Sequence, residues 1–171
     1  MKLTREEKFM RAALKAAKRG FAEGEVPIGA VVVYQDKVIS RGYNRRTKWQ
    51  LATAHAEMLA IDKACKKFRS WRLPEGSELY VTLEPCPMCM GACLNARVDK
   101  VYFGAYEQKG RSLTAAIADA NLLNHKTEVV GGVLQEECSG ILTAFFSSMR
   151  QKQKEEKALK TSEENFSSKE I

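Results

Sequence analysis

The stretch Glu78-Leu79-Tyr80-Val81-Thr82-Leu83-Glu84-Pro85-Cys86-Pro87-Met88-Cys89 changes character half-way along. Its first half, Glu78 to Leu83, reads as a strand, being apolar and rich in β-formers. Two prolines then bracket Cys86, and an apolar run continues from Met88 to Ala96. Proline is favoured in the first turn of a helix, so a helix begins here. The strand thus delivers Glu84 and Cys86 at its C-terminal end. Cys86 and Cys89 fall at the helix N-terminus, where the dipole favours thiolates. A strand feeding directly into a helix is the building unit of an α/β sheet.

Upstream stands His55-Ala56-Glu57. Ala54 to Arg69 reads as a helix, with Ala56, Leu59, Ala60, Ala64 and Phe68 near the helical period. His55 is expected in its first turn, with Glu57 about 200° further round at about 100° per residue. One imidazole and two thiols make a three-ligand zinc set that leaves the fourth tetrahedral position open, as a catalytic zinc requires. Glu57 is then a carboxylate close to the metal and free to carry protons. A Cys-x-x-Cys pair also serves in redox sites and in structural zinc sites. A structural site needs a fourth Cys or His, and Cys93, one turn beyond Cys89, is the nearest candidate. Cys93, Cys65 and Cys138 read as small core residues instead.

The remaining elements fall in place around these two. Thr4 with Glu7 forms a capping box opening a helix over 5–22, with Phe9, Ala12, Ala13, Ala16 and Ala17 inward. Ile28 to Tyr34 is a buried strand, Gln35-Asp36-Lys37 a turn, and Val38 to Tyr43 an antiparallel return. A strand over 99–103, a helical turn or two over 113–120, a short strand over 127–130 and a long helix from Leu134 to about Lys157 complete the chain. The order helix-strand-strand-helix-strand-helix-strand-strand-helix predicts a mixed five-stranded sheet between helices. The later strands are parallel, and both ligand-bearing helices lie on one face with their N-termini together.

At 171 residues and 44% hydrophobic content, the length and composition fit one globular domain with a sizeable core. That domain is read as residues 1–157, and the polar residues 158–171 as a disordered tail. No apolar run is long enough for a membrane span, and the polar N-terminus lacks a signal-peptide core. The five cysteines fit a reducing cytosol and metal binding better than disulfides. Residues 151–171 hold five Lys and five Glu, which cancel, so the body carries the whole net charge of +7. A basic surface suits a polyanion such as RNA. Arg41, Arg45, Arg46 and Lys48, with Lys109 and Arg111, are the candidate phosphate contacts.

The order His-x-Glu, then Pro-Cys-x-x-Cys, resembles the zinc-dependent nucleoside and nucleobase deaminases. Further segments resemble the bacterial tRNA-specific adenosine deaminases: Glu25-Val26-Pro27-Ile28-Gly29-Ala30, Gly42-Tyr43-Asn44-Arg45, Tyr80 to Cys86, Val101 to Ala105, Asn124-His125, Glu137-Cys138 and Phe145-Phe146. The resemblance spans residues 5–153 and departs from the family's pattern at Glu107, in the loop after it, and at Ser147. It implies a cytidine-deaminase-like three-layer α/β/α sandwich. It implies Zn²⁺ on His55, Cys86 and Cys89, Glu57 as the catalytic proton carrier, and Asn44 on the purine. Val26 and Ile28 are its apolar wall, and Glu84 adjoins the ligand. The activity implied is hydrolytic deamination of adenosine to inosine at the wobble position of a tRNA anticodon stem-loop, by a cytoplasmic homodimer. Two other readings stay open: a free nucleobase or nucleoside deaminase with the same metal site, and a non-catalytic zinc-stabilised RNA-binding module.

Overall fold

Thr4 and Glu7 close the capping box: the Thr4 hydroxyl accepts from the Glu7 N–H, and the Glu7 carboxylate accepts from the Thr4 N–H. This fixes the start of helix α1, Arg5–Ala22. A computed structural model describes residues 2–107, 114–119 and 124–167, with side chains as far as residue 160. The other elements are β1 (Gly29–Tyr34), β2 (Lys37–Tyr43), α2 (Arg46–Trp49), α3 (Ala56–Phe68), β3 (Glu78–Leu83), α4 (Pro87–Asn95), β4 (Lys100–Ala105), α5 (Thr114–Asp119), β5 (Glu128–Val130) and α6 (Gln135–Ser167). Lys109 and Arg111 lie outside the described residues, as does the loop that follows Glu107.

The sheet has five strands in the order β2-β1-β3-β4-β5. β1 is antiparallel to both its neighbours, while β3, β4 and β5 are mutually parallel. β2 and β3 therefore run the same way on either side of β1. Their C-terminal ends lie at one edge of the sheet, and α3 and α4 both begin from that edge. In open α/β sheets this edge is where ligands bind.

Side chains alternate across the central strands, as strand geometry requires. Ala30, Val32, Leu79, Val81, Val101 and Phe103 face α3 and α4, packing on Ala56, Ala60, Ile61, Ala64, Met90 and Cys93. Val31, Val33, Tyr80 and Tyr102 face the opposite layer, packing on Met10, Ala13, Leu14 and Cys138. Both faces are covered, which explains the unbroken buried run in β1. The α/β/α sandwich and the placing of both ligand-bearing helices on one face agree with the sequence reading.

The differences are local. Helix α2 was not expected, and α6 continues past the expected end near Lys157 to Ser167. The hairpin turn is made by Gln35 and Asp36 alone, both at positive φ, and Lys37 already pairs with Tyr34. Two consecutive left-handed residues suit the right-handed twist of the strands they join.

Candidate active site

His55 and Cys86 occupy the same structural position. Each is the N-cap of its helix, α3 or α4, with extended backbone and with no side-chain capping bond. His55 thus precedes the first turn in which it was expected. Its direction is set by extended backbone, and the helical angle between His55 and Glu57 does not apply. Because neither side chain is used as a cap, both are free to face each other across the gap between the helix ends. Cys89, at the third helical position of α4, is fully buried beneath them.

The ligand atoms of His55, Cys86 and Cys89 all lie within 4.8 Å of one another. Both sulfurs approach the same ring nitrogen, with Cys86 Sγ 3.7 Å and Cys89 Sγ 3.5 Å from His55 Nδ1. Zinc bonds of about 2.3 Å to sulfur and about 2.0–2.1 Å to nitrogen, at tetrahedral angles, put N and S about 3.5 Å apart. The three residues therefore fit a zinc ion. No fourth Cys, His, Asp or Glu joins the group among the described residues. Cys93 is buried in the core with Met90 and Val81, so the structural-site alternative loses its best candidate.

The electrostatics suit a thiolate. Cys86 is pulled down to about 4, first by the Cys89 thiol that donates to it and then by His55. Cys89 moves the opposite way because it is the donor of that pair and is buried. The His55 imidazole is held above its ordinary value, chiefly by its bond to Cys86. A divalent cation satisfies both sulfurs as thiolates, since coordination deprotonates a thiol outright. Glu57, only 4% exposed, stands outside the ligand set. Burial pushes its carboxyl above the usual carboxylate range, opposed by its own backbone N–H and the His55 charge.

Close packing holds these parts in place. Gly42 of β2 lies against the first turns of α3, where a Cβ would collide with the Ala56 carbonyl and the Ala60 nitrogen. At the α4 side, the Thr114 hydroxyl donates to the Pro85 carbonyl at 2.9 Å and pins the Pro-Cys-Pro turn. Gly42→Ala is expected to displace α3, and with it His55 and Glu57. Overpacking of this kind costs about 1–3 kcal/mol. Urea unfolding and the zinc bound per chain would check it, and no change in either would refute the contact.

Residues 3–105 match the cytidine and deoxycytidylate deaminase zinc-binding region. The chain belongs to this zinc-binding deaminase family. The deaminase is 51% identical to the tRNA-specific adenosine deaminase of Bacillus subtilis (strain 168) over 154 residues, 89% of this chain and 95% of the relative. It is 43% identical to the tRNA-specific adenosine deaminase of Haemophilus influenzae over 157 residues, 90% of each chain. A structure solved in a study of A-to-I editing by tRNA:A34 deaminases superposes with a TM-score of 0.72 at 39% identity, covering 79% of this deaminase and 99% of that chain.

The other residues singled out in the sequence are placed as follows. Asn44 is buried just beyond β2; its N–H donates to the Ile28 carbonyl at 3.1 Å. Val26 and Ile28 are half-buried in the segment before β1. The buried Glu84 carboxylate accepts from the Glu107 N–H at 3.1 Å, linking the ends of β3 and β4. His125 donates to the Val98 carbonyl at 2.9 Å, consistent with a structural histidine. Arg45 and Lys48 pair with Glu23 at 3.1 and 2.9 Å, and Arg45 also bonds the Tyr43 hydroxyl, so neither is a lone cation awaiting phosphate. Arg41 and Arg46 are exposed.

One buried polar residue beside Asn44 was missed. Glu25, 1% exposed, accepts from Asn44 Nδ2 at 3.3 Å, the Thr47 N–H at 3.3 Å and the Lys48 N–H at 2.6 Å. It serves the start of α2, whose own N-cap, Arg45, makes no side-chain capping bond. A cap supplied from a distant segment leaves no local signature in sequence.

Proposed function

We propose that this deaminase hydrolyses adenosine to inosine and ammonia at the wobble position of a tRNA anticodon, working in the cytoplasm as a dimer of two copies. The single observation that carries the substrate is the 51% identity, over 95% of its length, to a tRNA-specific adenosine deaminase. The His55, Cys86 and Cys89 group supports the chemistry. When bound there, zinc supplies a water of lowered pKa, about 7, that is nucleophilic at neutral pH.

The chain's own groups do the rest. Glu57 takes the proton released as water attacks the amidine carbon. It delivers that proton to the ring nitrogen, and the same carboxyl then takes the remaining proton from the hydroxyl on the attacked carbon and passes it to the departing amine, which leaves as ammonia. Burial suits Glu57 to this exchange by keeping its proton affinity high. Asn44 hydrogen-bonds the purine, Val26 and Ile28 form the apolar wall, and the backbone of Glu84 lines the far side. The target base leaves the anticodon stack to enter this pocket. The exposed Trp49, Leu51, Tyr106 and Phe146 offer apolar surface for the RNA or the second copy. Arg41 and Arg46 supply backbone contacts. No helix among the described residues is long and apolar enough to cross a membrane.

The test compares an anticodon stem-loop carrying adenosine at the wobble position with free adenine, adenosine and guanine, reading inosine or the free deaminated product. Turnover of the stem-loop alone is expected. Turnover of free guanine alone would overturn the substrate, and zinc binding with no turnover of any of them would leave a binding module.

A further inference from the structure

Glu25 is a buried carboxylate that accepts three hydrogen bonds, and the donors come from two places. The N–H groups of Thr47 and Lys48 are the orphan donors at the start of α2. The third is the side-chain amide of Asn44. A carboxylate only accepts, so the Asn44 group facing it must be the NH₂. This settles the orientation of the amide: Nδ2 is turned to Glu25, and Oδ1 is turned away. Oδ1 makes no hydrogen bond among the described residues. The Asn44 backbone is pinned as well, through its N–H to the Ile28 carbonyl.

We propose that Glu25 is a positioning residue of the substrate pocket: by holding Asn44 Nδ2 together with the start of α2, it fixes the Asn44 amide so that the carbonyl oxygen is the atom presented to the base. The assignment rests on the reading that Asn44 contacts the substrate. It makes Asn44 Oδ1 an acceptor toward the ligand, and the N–H donor that an N9-substituted adenine can offer it is the 6-amino group, so the pocket selects a base that carries that amine. Were the amide free to turn over, half of its orientations would present a donor there and lose that selection. A preset acceptor also spares the rotamer ordering that binding otherwise costs.

The alternative is that Glu25 only caps α2. A thermodynamic cycle separates the two. Glu25→Gln keeps the shape but turns one acceptor oxygen into a donor, so it cannot serve all three N–H groups. Steady-state kinetics on the anticodon stem-loop should show kcat/KM falling about a hundredfold, the size that misplacement of a positioned group produces. Zinc content should be unchanged. In the Asn44→Ala background the same substitution should change kcat/KM by no more than about twofold, because the group it positions is gone. Glu25→Asp keeps the carboxylate and should recover most of the loss. If Glu25→Gln fails to fold, Glu25→Ala, which removes the acceptor without adding a donor, is carried through the same cycle, with the same non-additivity expected.

Two results overturn the assignment alone: a Glu25→Gln enzyme within about twofold of the parent, or losses at Glu25 and Asn44 that simply multiply. Undiminished turnover by Asn44→Ala would instead remove the substrate contact itself, and the positioning role with it. A parent protein that forms no inosine in the stem-loop would remove the proposed reaction.

Discussion

Glu57→Gln is expected to slow turnover by about 10²–10⁴-fold, the usual contribution of a positioned general acid–base, while zinc stays bound. The amide has the size of the carboxyl and can keep the local hydrogen bonds of the α3 first turn. What it loses is the ability to accept a proton from water and return it. Glu57 stands outside the ligand group, so its replacement removes no metal donor. It is also almost wholly buried, so no exposed carboxylate can take over its place. KM should move little, because the substitution leaves Asn44 and the apolar wall untouched. Single-turnover inosine formation, with zinc measured on the same sample, checks both halves. Loss of zinc would make Glu57 a ligand, and an undiminished rate would remove it from the reaction.

The grouping of His55, Cys86 and Cys89, with Glu57 outside it, was legible in the residues themselves. His55, Cys86 and Cys89 are the residue types zinc prefers, and the prolines around Cys86 mark a helix start that a bare Cys-x-x-Cys does not. What the sequence could not supply was the route by which His55 reaches the two thiols. That depends on β2 and β3 lying parallel on either side of β1, a pairing between distant segments with no local sign. The expected first-turn position of His55 failed for a related reason. Ala54 continues the apolar pattern of α3, yet the helix begins only at Ala56, and His55 stays extended at the N-cap. Small apolar residues fit the end of a helix and the loop before it equally well.

Helix α2 shows the opposite limit. Arg46-Thr47-Lys48-Trp49 has no apolar stripe and no local cap, and its positive charges near a helix start are unfavourable by themselves. It forms because Glu25, from a segment far away in sequence, accepts two of its orphan N–H groups. The basic cluster shows the same limit. Arg45 and Lys48 look unopposed in the sequence, but the fold brings Glu23 beside them, and Tyr43 and Lys48 hold that carboxyl below its usual range. Charge read along a chain counts cations; only the fold shows which of them are already paired.

Removing one ligand is the sharper test of the metal centre, and Cys89→Ala should abolish both stoichiometric zinc and measurable turnover. Two donors from one imidazole and one thiolate remain, and they come from the ends of two separate helices. The consequence reaches stability. An ion that binds only the folded chain contributes about 4 kcal/mol when present at a thousand times its dissociation constant. At about 2–4 °C per kcal/mol for a chain of this size, a chelator should lower the parent's Tm by about 8–16 °C. The Cys89→Ala protein should already melt in that lower range, and the chelator should shift it no further. Cys93→Ala is the control, because Cys93 is also a buried thiol of α4 but lies outside the ligand group. It should lose some core packing, keep its zinc and still respond to the chelator. Calorimetry of the three proteins with and without chelator separates the effects. A Cys89→Ala enzyme that retains one zinc per chain would disprove the ligand set, and a Cys93→Ala enzyme that loses it would place a fourth sulfur on the metal and close the position the reaction requires.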